Sequence, residues 1–354
     1  MPPRINNVQA LRGFAALLVV LGHTRFTLPR TIPFGPSGVD IFFVISGFIM
    51  AMICNRNPEK FFLRRLIRIL PLYWAATLGV YILAMLAPNL MKTTRAVPWE
   101  LALSLLFVPF FKESGTANPI LFVGWTLNYE MFFYVVLAIC LAVNRKRAPL
   151  LASVVIFVTI LACRPFRGRW GFTSLYGQWL MLEFVLGMAA YALVRATTEA
   201  RARRLRWLAA LCAVVAAFGV PVLEGLPQFA ALNWDRLIDW GLPAFVLVLS
   251  AALLSKGGAD TRVQFLVLLG DASYVIYIIH TYVLDGMERL LVPKFPALEL
   301  STALGSFVSL AFVTLLSIGI YLWAEKPAVD WLSVKFATRR IARPEVKDPA
   351  ESMA

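Results

Sequence analysis

The chain has 354 residues, 60% of them hydrophobic and only 15% charged, and its mean hydropathy is +0.73. That is more apolar surface than one or two soluble cores would hide. It is also strongly basic, with 34 Lys and Arg against 20 Asp and Glu, a net charge of +14 and only two His. An ordinary soluble enzyme is excluded, which leaves a nucleic-acid binder or a polytopic membrane protein with basic loops. The placement of the charges decides between them.

Apolar stretches long enough to cross a bilayer, about 20 residues, recur near 9–28, 38–54, 66–87, 121–143, 149–163, 173–194, 206–223, 237–255, 264–285 and 300–323. The expectation is an all-α polytopic membrane protein with about ten transmembrane helices. An eleventh stretch, 98–111, is short and bounded by Pro98 and Pro109, and reads as a re-entrant or interfacial segment. With the N-terminus inside, the cytoplasmic segments hold 23 of the 34 Lys and Arg, and an even number of spans leaves both termini cytoplasmic. Counting 98–111 as a span would put Arg145, Lys146 and Arg147 outside. The outer loop with Arg164, Arg167 and Arg169 is the one clear exception to the bias.

Basic runs such as Arg201–Arg206 then serve as topology anchors against anionic lipid. No aromatic-interleaved basic domain exists to carry nucleic acid. Cys54, Cys140, Cys163 and Cys212 are scattered through the spans without CxxC spacing, so neither a disulfide framework nor a metal site is expected. The first apolar stretch is followed at once by a second and by no small-residue cleavage site, unlike a signal peptide. Residues 1–335 read as one membrane domain and 336–354 as a disordered cytoplasmic tail.

Ionisable side chains at membrane depth are costly and therefore informative. Here they are His23, Asp40, Glu130, Glu183, Asp239, Asp271 and His280, each of which can also be a structural contact between helices. Arg12 precedes His23 by eleven residues, almost three helical turns, so both share one face roughly 16 Å apart. A long phosphorylated donor needs such a track, with cations for its phosphates at the cytoplasmic mouth and a buried reactive end. A satisfied structural histidine is the alternative.

Arg64, Arg65 and Arg68 fall at i,i+4 and i,i+3 spacings where the third span begins. Guanidinia on one turn make a phosphate clamp, although a topology anchor accounts for the spacing equally. Glu130 has Tyr134 one turn on and Trp125 near the outer end of its span. A carboxylate there either orients a base or pairs with an arginine. Ser273, Tyr277 and His280 fall at i, i+4 and i+7, a polar stripe that either lines a cavity or bonds one helix to another. His280 and Asp285 form an H-x4-D spacing, but on a helix they point about 140° apart. There is no GxSxG, Walker-A or GxGxxG motif.

Taken together, the segments NNVQALRGFAALLVVLGH (6–23), GVDIFFVISGFIM (38–50), FLRRLIRILPLYW (62–74), GWTLNYEMFFY (124–134), LEFVLGM (182–188), DASYVIYIIH (271–280) and YLWAEKPAVDWL (321–332) resemble the acyltransferase 3 family of integral membrane acyltransferases, in particular its exopolysaccharide-modifying branch. The resemblance spans almost the whole chain in the family's order. It implies a ten-span membrane domain that moves an acyl group, usually acetyl from acetyl-CoA, onto a sugar hydroxyl. His23 matches the family's essential histidine, Arg12 the arginine before it, and Arg65 and Arg68 its R-x-x-R pair, a proposed donor contact. Glu130 matches the acidic residue of its W-(S/T)-L-x-x-E motif. Many relatives carry an extra periplasmic esterase-like domain that is not seen here, so acceptor handling is expected of the membrane core or a partner.

The expected chemistry is O-acyl transfer in the bacterial inner membrane, with His23 as base, Asp40 or Glu130 orienting its ring, and Arg12, Arg65 and Arg68, with Arg64 beside them, holding the CoA phosphates. Trp125, Tyr134, Ser273, Tyr277 and His280 are the candidate cavity lining. Acetyl-CoA enters as co-substrate, with no resident cofactor or metal. The expected partners are a sugar acceptor (a polysaccharide repeat unit or lipid-linked glycan) and membrane lipids, and polysaccharide-assembly proteins and homo-oligomerisation stay open. Direct transfer and an acyl-histidine intermediate are both consistent with the residues. A polytopic transporter or flippase, and a non-catalytic subunit of a polysaccharide assembly complex, are the alternative functions.

Overall fold

The computed structural model describes residues 5–24, 37–56, 58–91, 94–112, 115–219 and 236–337. Among these there are helices and turns and no strand, the outcome expected where no water is present to satisfy an open sheet edge. Eight helical stretches of the described residues are long and apolar enough to cross a membrane: Ser37–Arg56, Phe61–Leu86, Phe122–Val143, Ala148–Phe166, Trp179–Ala196, Leu237–Lys256, Gln264–Leu290 and Ala303–Ala337.

Two of the ten expected spans fall short of that measure. Helix α1 (Asn6–His23) has 18 residues but carries Asn6, Asn7, Gln9 and Arg12 in its first two turns. Arg206–Phe218 is a shorter apolar helix, and the rest of expected span 206–223, like the end of 9–28, lies outside the described residues. Two boundaries also move. Residues 171–176 form a separate short helix before the crossing that begins at Trp179. The last span runs to Ala337, through wider π turns at Tyr321–Glu325 and Ser333–Ala337. Phe336 and Ala337 therefore belong to this helical stretch, and the remainder of the expected tail lies outside the described residues.

The segment expected to be re-entrant contains α4 (Pro98–Leu105), eight residues long and about 12 Å, too short to span. It ends where Phe107 takes a left-handed φ of 57°. It is held against α3 (Phe61–Leu86) by the Tyr73 hydroxyl donating to Ser104 O at 2.9 Å and the Trp74 indole donating to Leu105 O at 3.1 Å.

The apolar faces sort by what they meet. α6 (Ala148–Cys163) is apolar all round and buries only the stripe Ala148, Ala152, Ile156, Ile160 and Cys163. Others, such as Leu150 and Val158, are exposed, as suits a lipid-facing helix. The interior lies among α2 (Ser37–Arg56), α3, α5 (Trp125–Val143) and α8 (Leu182–Ala196), where Phe48, Tyr73, Tyr129, Phe133 and Phe184 are wholly buried. After α8 come α9 (Glu199–Arg204), α10 (Arg206–Val214), α11 (Leu242–Lys256) and α12 (Gln264–Leu290).

Close helix approaches occur at glycines. A Cβ on Gly47 would sit 2.0 Å from Phe184 O, and one on Gly187 2.0 Å from Val44 O, so α2 and α8 touch backbone to backbone. The same holds for α1 and α12, where a Cβ on Gly270 would lie 1.9 Å from Gln9 O. The Asp260 carboxylate, in the loop before α12, accepts from the Asn6 and Asn7 N–H groups at 3.2 and 2.9 Å, supplying the cap that α1 lacks from its own sequence. Asn7 answers with its own amide, donating to Ala259 O and accepting from Thr261 N–H at 2.9 and 2.8 Å.

Candidate functional site

A cavity with about 850 Å³ of empty space in and at its mouth opens among α1, α2, α3, α5 and α12. Its polar lining is Arg12 from α1, Ser46 from α2, Arg65 and Arg68 from α3, Glu130 and Tyr134 from α5, with Ser273, Tyr274 and Tyr277 from α12. Residues 130 and 134 stack on one face of α5, as do 65 and 68 on α3. Phe42, Phe43, Ile49 and Leu127 complete the wall with apolar surface.

Three guanidinia thus face one carboxylate. Glu130 accepts from the Ser46 hydroxyl at 2.8 Å and from the Tyr134 hydroxyl one turn away. Arg68 is paired with Glu325, which the π turn at Tyr321–Glu325 places there, and donates to Asp271 O at 3.4 Å. It also lies 5.7 Å from the centre of the Tyr274 ring. Among the described residues Arg12 and Arg65 form no ion pair, and Arg65 Nε is buried without a hydrogen-bond partner. Two guanidinia without an ion pair among the described residues, lining one cavity, can accept a multiply charged anion, because fork-shaped donors match phosphate oxygens.

The two imidazoles stand at the other end of this track. His23 closes α1 and is exposed; it is not part of the cavity wall. Its ring meets that of buried His280 edge to face, with centroids 4.8 Å apart. Tyr277 bridges the two zones, lining the cavity and lying 5.8 Å from the His280 ring. Its hydroxyl is held by Thr126 Oγ1 at 2.8 Å and donates to Val123 O at 3.2 Å.

The two imidazoles have ordinary backbone partners. His23 Nδ1 is 2.8 Å from Val19 O, and His280 Nδ1 is 2.7 Å from Tyr277 O. A carbonyl only accepts, so in each neutral ring Nδ1 carries the proton and Nε2 the lone pair. His280 Nε2 is buried and has no hydrogen-bond partner among the described residues.

The expected orienting carboxylates sit elsewhere. Asp40, wholly buried in the first turn of α2, is bound by both prongs of the Arg236 guanidinium at 2.9 and 2.8 Å. Glu130 is engaged by Ser46 and Tyr134. In this structure the partner of the His23 ring N–H is therefore the helix backbone, which a sequence reading of scarce buried acids does not suggest.

Of the residues singled out by sequence, Arg12, Arg65, Arg68, Glu130, Tyr134, Ser273 and Tyr277 come together around the cavity. His23 and His280 meet beyond it. Arg64 is half-buried beside the cavity without lining it, and Trp125 lines a different recess near Arg164 and Arg167. Sequence reasoning assigns no role to Ser46, Tyr274, Glu325 or Arg236. Tyr274 and Ser46 carry no charge to mark them. Glu325 lies in the segment YLWAEKPAVDWL, and Arg236 falls among the cations of the outer loops.

A bundle of this kind, with cations and acid–base groups inside a helical membrane core, defines a multi-pass membrane protein with an internal polar site. The model of an acyltransferase domain family matches residues 5–322. Exopolysaccharide production protein ExoZ of Rhizobium meliloti (strain 1021) is 35% identical over 301 residues, covering 83% of this chain and 89% of the relative. Putative membrane-bound transacylase BcsY of Komagataeibacter xylinus is 27% identical over 300 residues, with 78% and 72% covered. Acyltransferase MdmB of Streptomyces mycarofaciens is 27% identical over 340 residues, with 82% of each covered. No solved structure is significantly similar. The chain belongs to the acyltransferase 3 family and is a membrane acyltransferase.

Proposed function

We propose that the protein transfers an acyl group, acetyl in the first instance, from acyl-CoA on the cytoplasmic side of the bacterial inner membrane to a hydroxyl of a cell-surface or exopolysaccharide sugar. The observation that carries this reading is the pair of guanidinia Arg12 and Arg65, without an ion pair among the described residues, in a cavity also lined by Tyr277, whose ring lies beside that of His280, the neighbour of His23. Phosphates of CoA bind at the arginines, and the thioester end is directed along α1 toward the imidazoles. The eleven residues from Arg12 to His23 span roughly 16 Å, a distance suited to an extended pantetheine arm. The similarity to an exopolysaccharide production protein supports the polysaccharide acceptor.

In this reading His23 Nε2, left with its lone pair by the Nδ1–H bond to Val19 O, takes the proton of the acceptor hydroxyl as its oxygen attacks the thioester carbonyl. The C–S bond breaks, CoA leaves as thiolate and recovers the proton from the imidazolium. One ester forms, one thioester is lost, and the histidine returns to neutral. The exposed position of His23 leaves it open to an acceptor arriving from the face opposite the donor.

The test is mass spectrometry of cell-surface glycans from cells with and without the protein, together with acetyl-CoA binding by the purified protein. The expected result is loss of an acetyl increment from one glycan when the protein is absent. An unchanged glycan profile with no acetyl-CoA binding rules the reading out.

A further inference from the structure

Arg164, Arg167 and Arg169 break the charge pattern of the chain, standing on a loop expected outside, and not one acidic residue occurs between Glu130 and Glu183 to neutralise them. Among the described residues none of the three forms an ion pair. Topology does not require these cations, and no carboxylate among the described residues neutralises them.

The loop that carries them is firmly built. The Thr173 hydroxyl donates to Phe166 O at 2.8 Å, and Gly168 N–H donates to Ser174 Oγ at 2.8 Å, which ties the loop to α7 (Gly171–Tyr176). Arg164 lies over the Trp179 ring at 4.8 Å, and its guanidinium makes no ion pair among the described residues. Beside it is an open recess lined by Asn118, Trp125, Arg164, Arg167, Ser174 and Gln178, with no carboxylate in its wall. Gln178 donates to Ser174 O at 3.2 Å, so its carbonyl oxygen remains available.

The recess also has a defined relation to the imidazoles. Asn118 and Trp125 bracket the short turn Phe122–Gly124. The other side of that turn meets α12, with Phe122 N–H donating to the Tyr282 hydroxyl at 3.3 Å and Val123 O accepting from Tyr277. Tyr277 and Tyr282 flank His280, so one turn of chain separates the recess from the histidine pair.

We propose that this recess binds the acceptor, and that the acceptor is an acidic glycan held through the carboxylate of a uronate unit. Arg164 and Arg167 supply fork-shaped donors for the carboxylate. The Trp125 ring offers an apolar face to the C–H side of a pyranose, and Asn118, Ser174 and Gln178 present hydrogen-bonding groups for its hydroxyls. A lining rich in amide and hydroxyl groups matches a polyhydroxylated anion better than a lipid headgroup trailing acyl chains. The proposal rests on the acceptor being a sugar, as read above.

The test uses the full chain in phosphatidylcholine nanodiscs, titrated calorimetrically with trigalacturonate and with a hyaluronan tetrasaccharide, each against its methyl ester. At least one acid binds about tenfold or more tighter than its ester, as expected for losing a charge-assisted contact. That preference disappears in the Arg164→Gln/Arg167→Gln double variant. Should the double variant fail to insert, Arg167→Gln alone, which disturbs no ring contact, still reduces the preference. Equal binding of acid and ester, or a preference that survives substitution, overturns the proposal. So does phosphatidylglycerol that co-purifies with the unmodified protein and is lost from the variant, since the recess then belongs to lipid. Acetyl-CoA binding by the same unmodified preparation separates the two readings. Its absence with acid selectivity intact removes the donor assignment alone, and the converse removes the acidic-glycan site alone.

Discussion

His23 and His280 meet ring edge to ring face, with planes 74° apart, and each is tied through Nδ1 to a carbonyl of its own helix. Two imidazoles held this way present two Nε2 lone pairs, one on an exposed ring and one on a buried ring with no partner among the described residues. In the proposed mechanism the exposed ring meets substrate and the buried ring positions it. His23→Ala should leave an inserted, folded protein whose transfer rate falls at least about a hundredfold, the usual reach of a general base. Retained transfer removes His23 from the chemistry.

For His280 the informative measurement is the pH profile. His280→Gln keeps the volume but removes a titratable neighbour. It should lower kcat and displace the pH dependence of kcat/KM, with KM for the donor little changed. A profile that keeps its shape while kcat drops leaves His280 a packing residue.

Donor binding should divide the arginines by where they point. Arg12→Ala and Arg65→Ala are each expected to raise KM for acyl-CoA by about ten- to a hundredfold, the range for a charge-assisted hydrogen bond of about 1.5–3 kcal/mol. Arg64→Ala, outside the cavity lining, should change it by less than about threefold. Arg68→Ala strands the buried carboxylate of Glu325, so its first effect is a lower melting temperature. Equal KM effects at Arg64 and Arg65 remove the cavity from the donor-binding account.

Those arginines also mark how far the site is legible in the sequence. Arg12, His23, Arg65, Arg68 and Glu130 stand out because a charge within apolar sequence has few neighbours to compete for attention, and the helical period alone puts Arg12 and His23 on one face. Periodicity speaks only of one helix, however. It does not reveal that His23 turns to the Val19 carbonyl, or that Asp40 is taken by Arg236, 196 residues away. Uncharged Ser46 and Tyr274 carry no signal of their own. Trp125 lies on the expected helix, but it faces the recess by Arg164 and Arg167 because nine residues turn it to the side opposite Tyr134.

The Asp40–Arg236 pair should respond asymmetrically. The Asp40 side chain is fully buried, whereas that of Arg236 is 36% exposed. Arg236→Ala leaves an uncompensated carboxylate inside and should cost about 3 kcal/mol or more. Asp40→Ala leaves a guanidinium already able to reach solvent and should cost less. Thermal unfolding of both variants in detergent checks the order, and equal losses contradict it.

Gly270→Ala tests the contact between α1 and α12. A methyl group there meets the Gln9 carbonyl at 1.9 Å, so one helix must yield. The expected cost is about 1–3 kcal/mol, with a loss of both kcat and donor affinity, because α1 carries Arg12 as well as His23. An unchanged melting temperature and kcat contradict the close contact.

The cap that Asp260 places on α1 has a consequence in time. The bonds it makes to Asn6 and Asn7 join residues 254 and 253 positions apart, and His280 is farther along still. During synthesis α1 emerges well before residues 260 and 280, so its N-terminus waits for the Asp260 cap and the His23 ring for its His280 neighbour. Helix α1 is therefore fixed long after it emerges, and a nascent chain that stops short of α12 holds a histidine and arginines but no assembled centre.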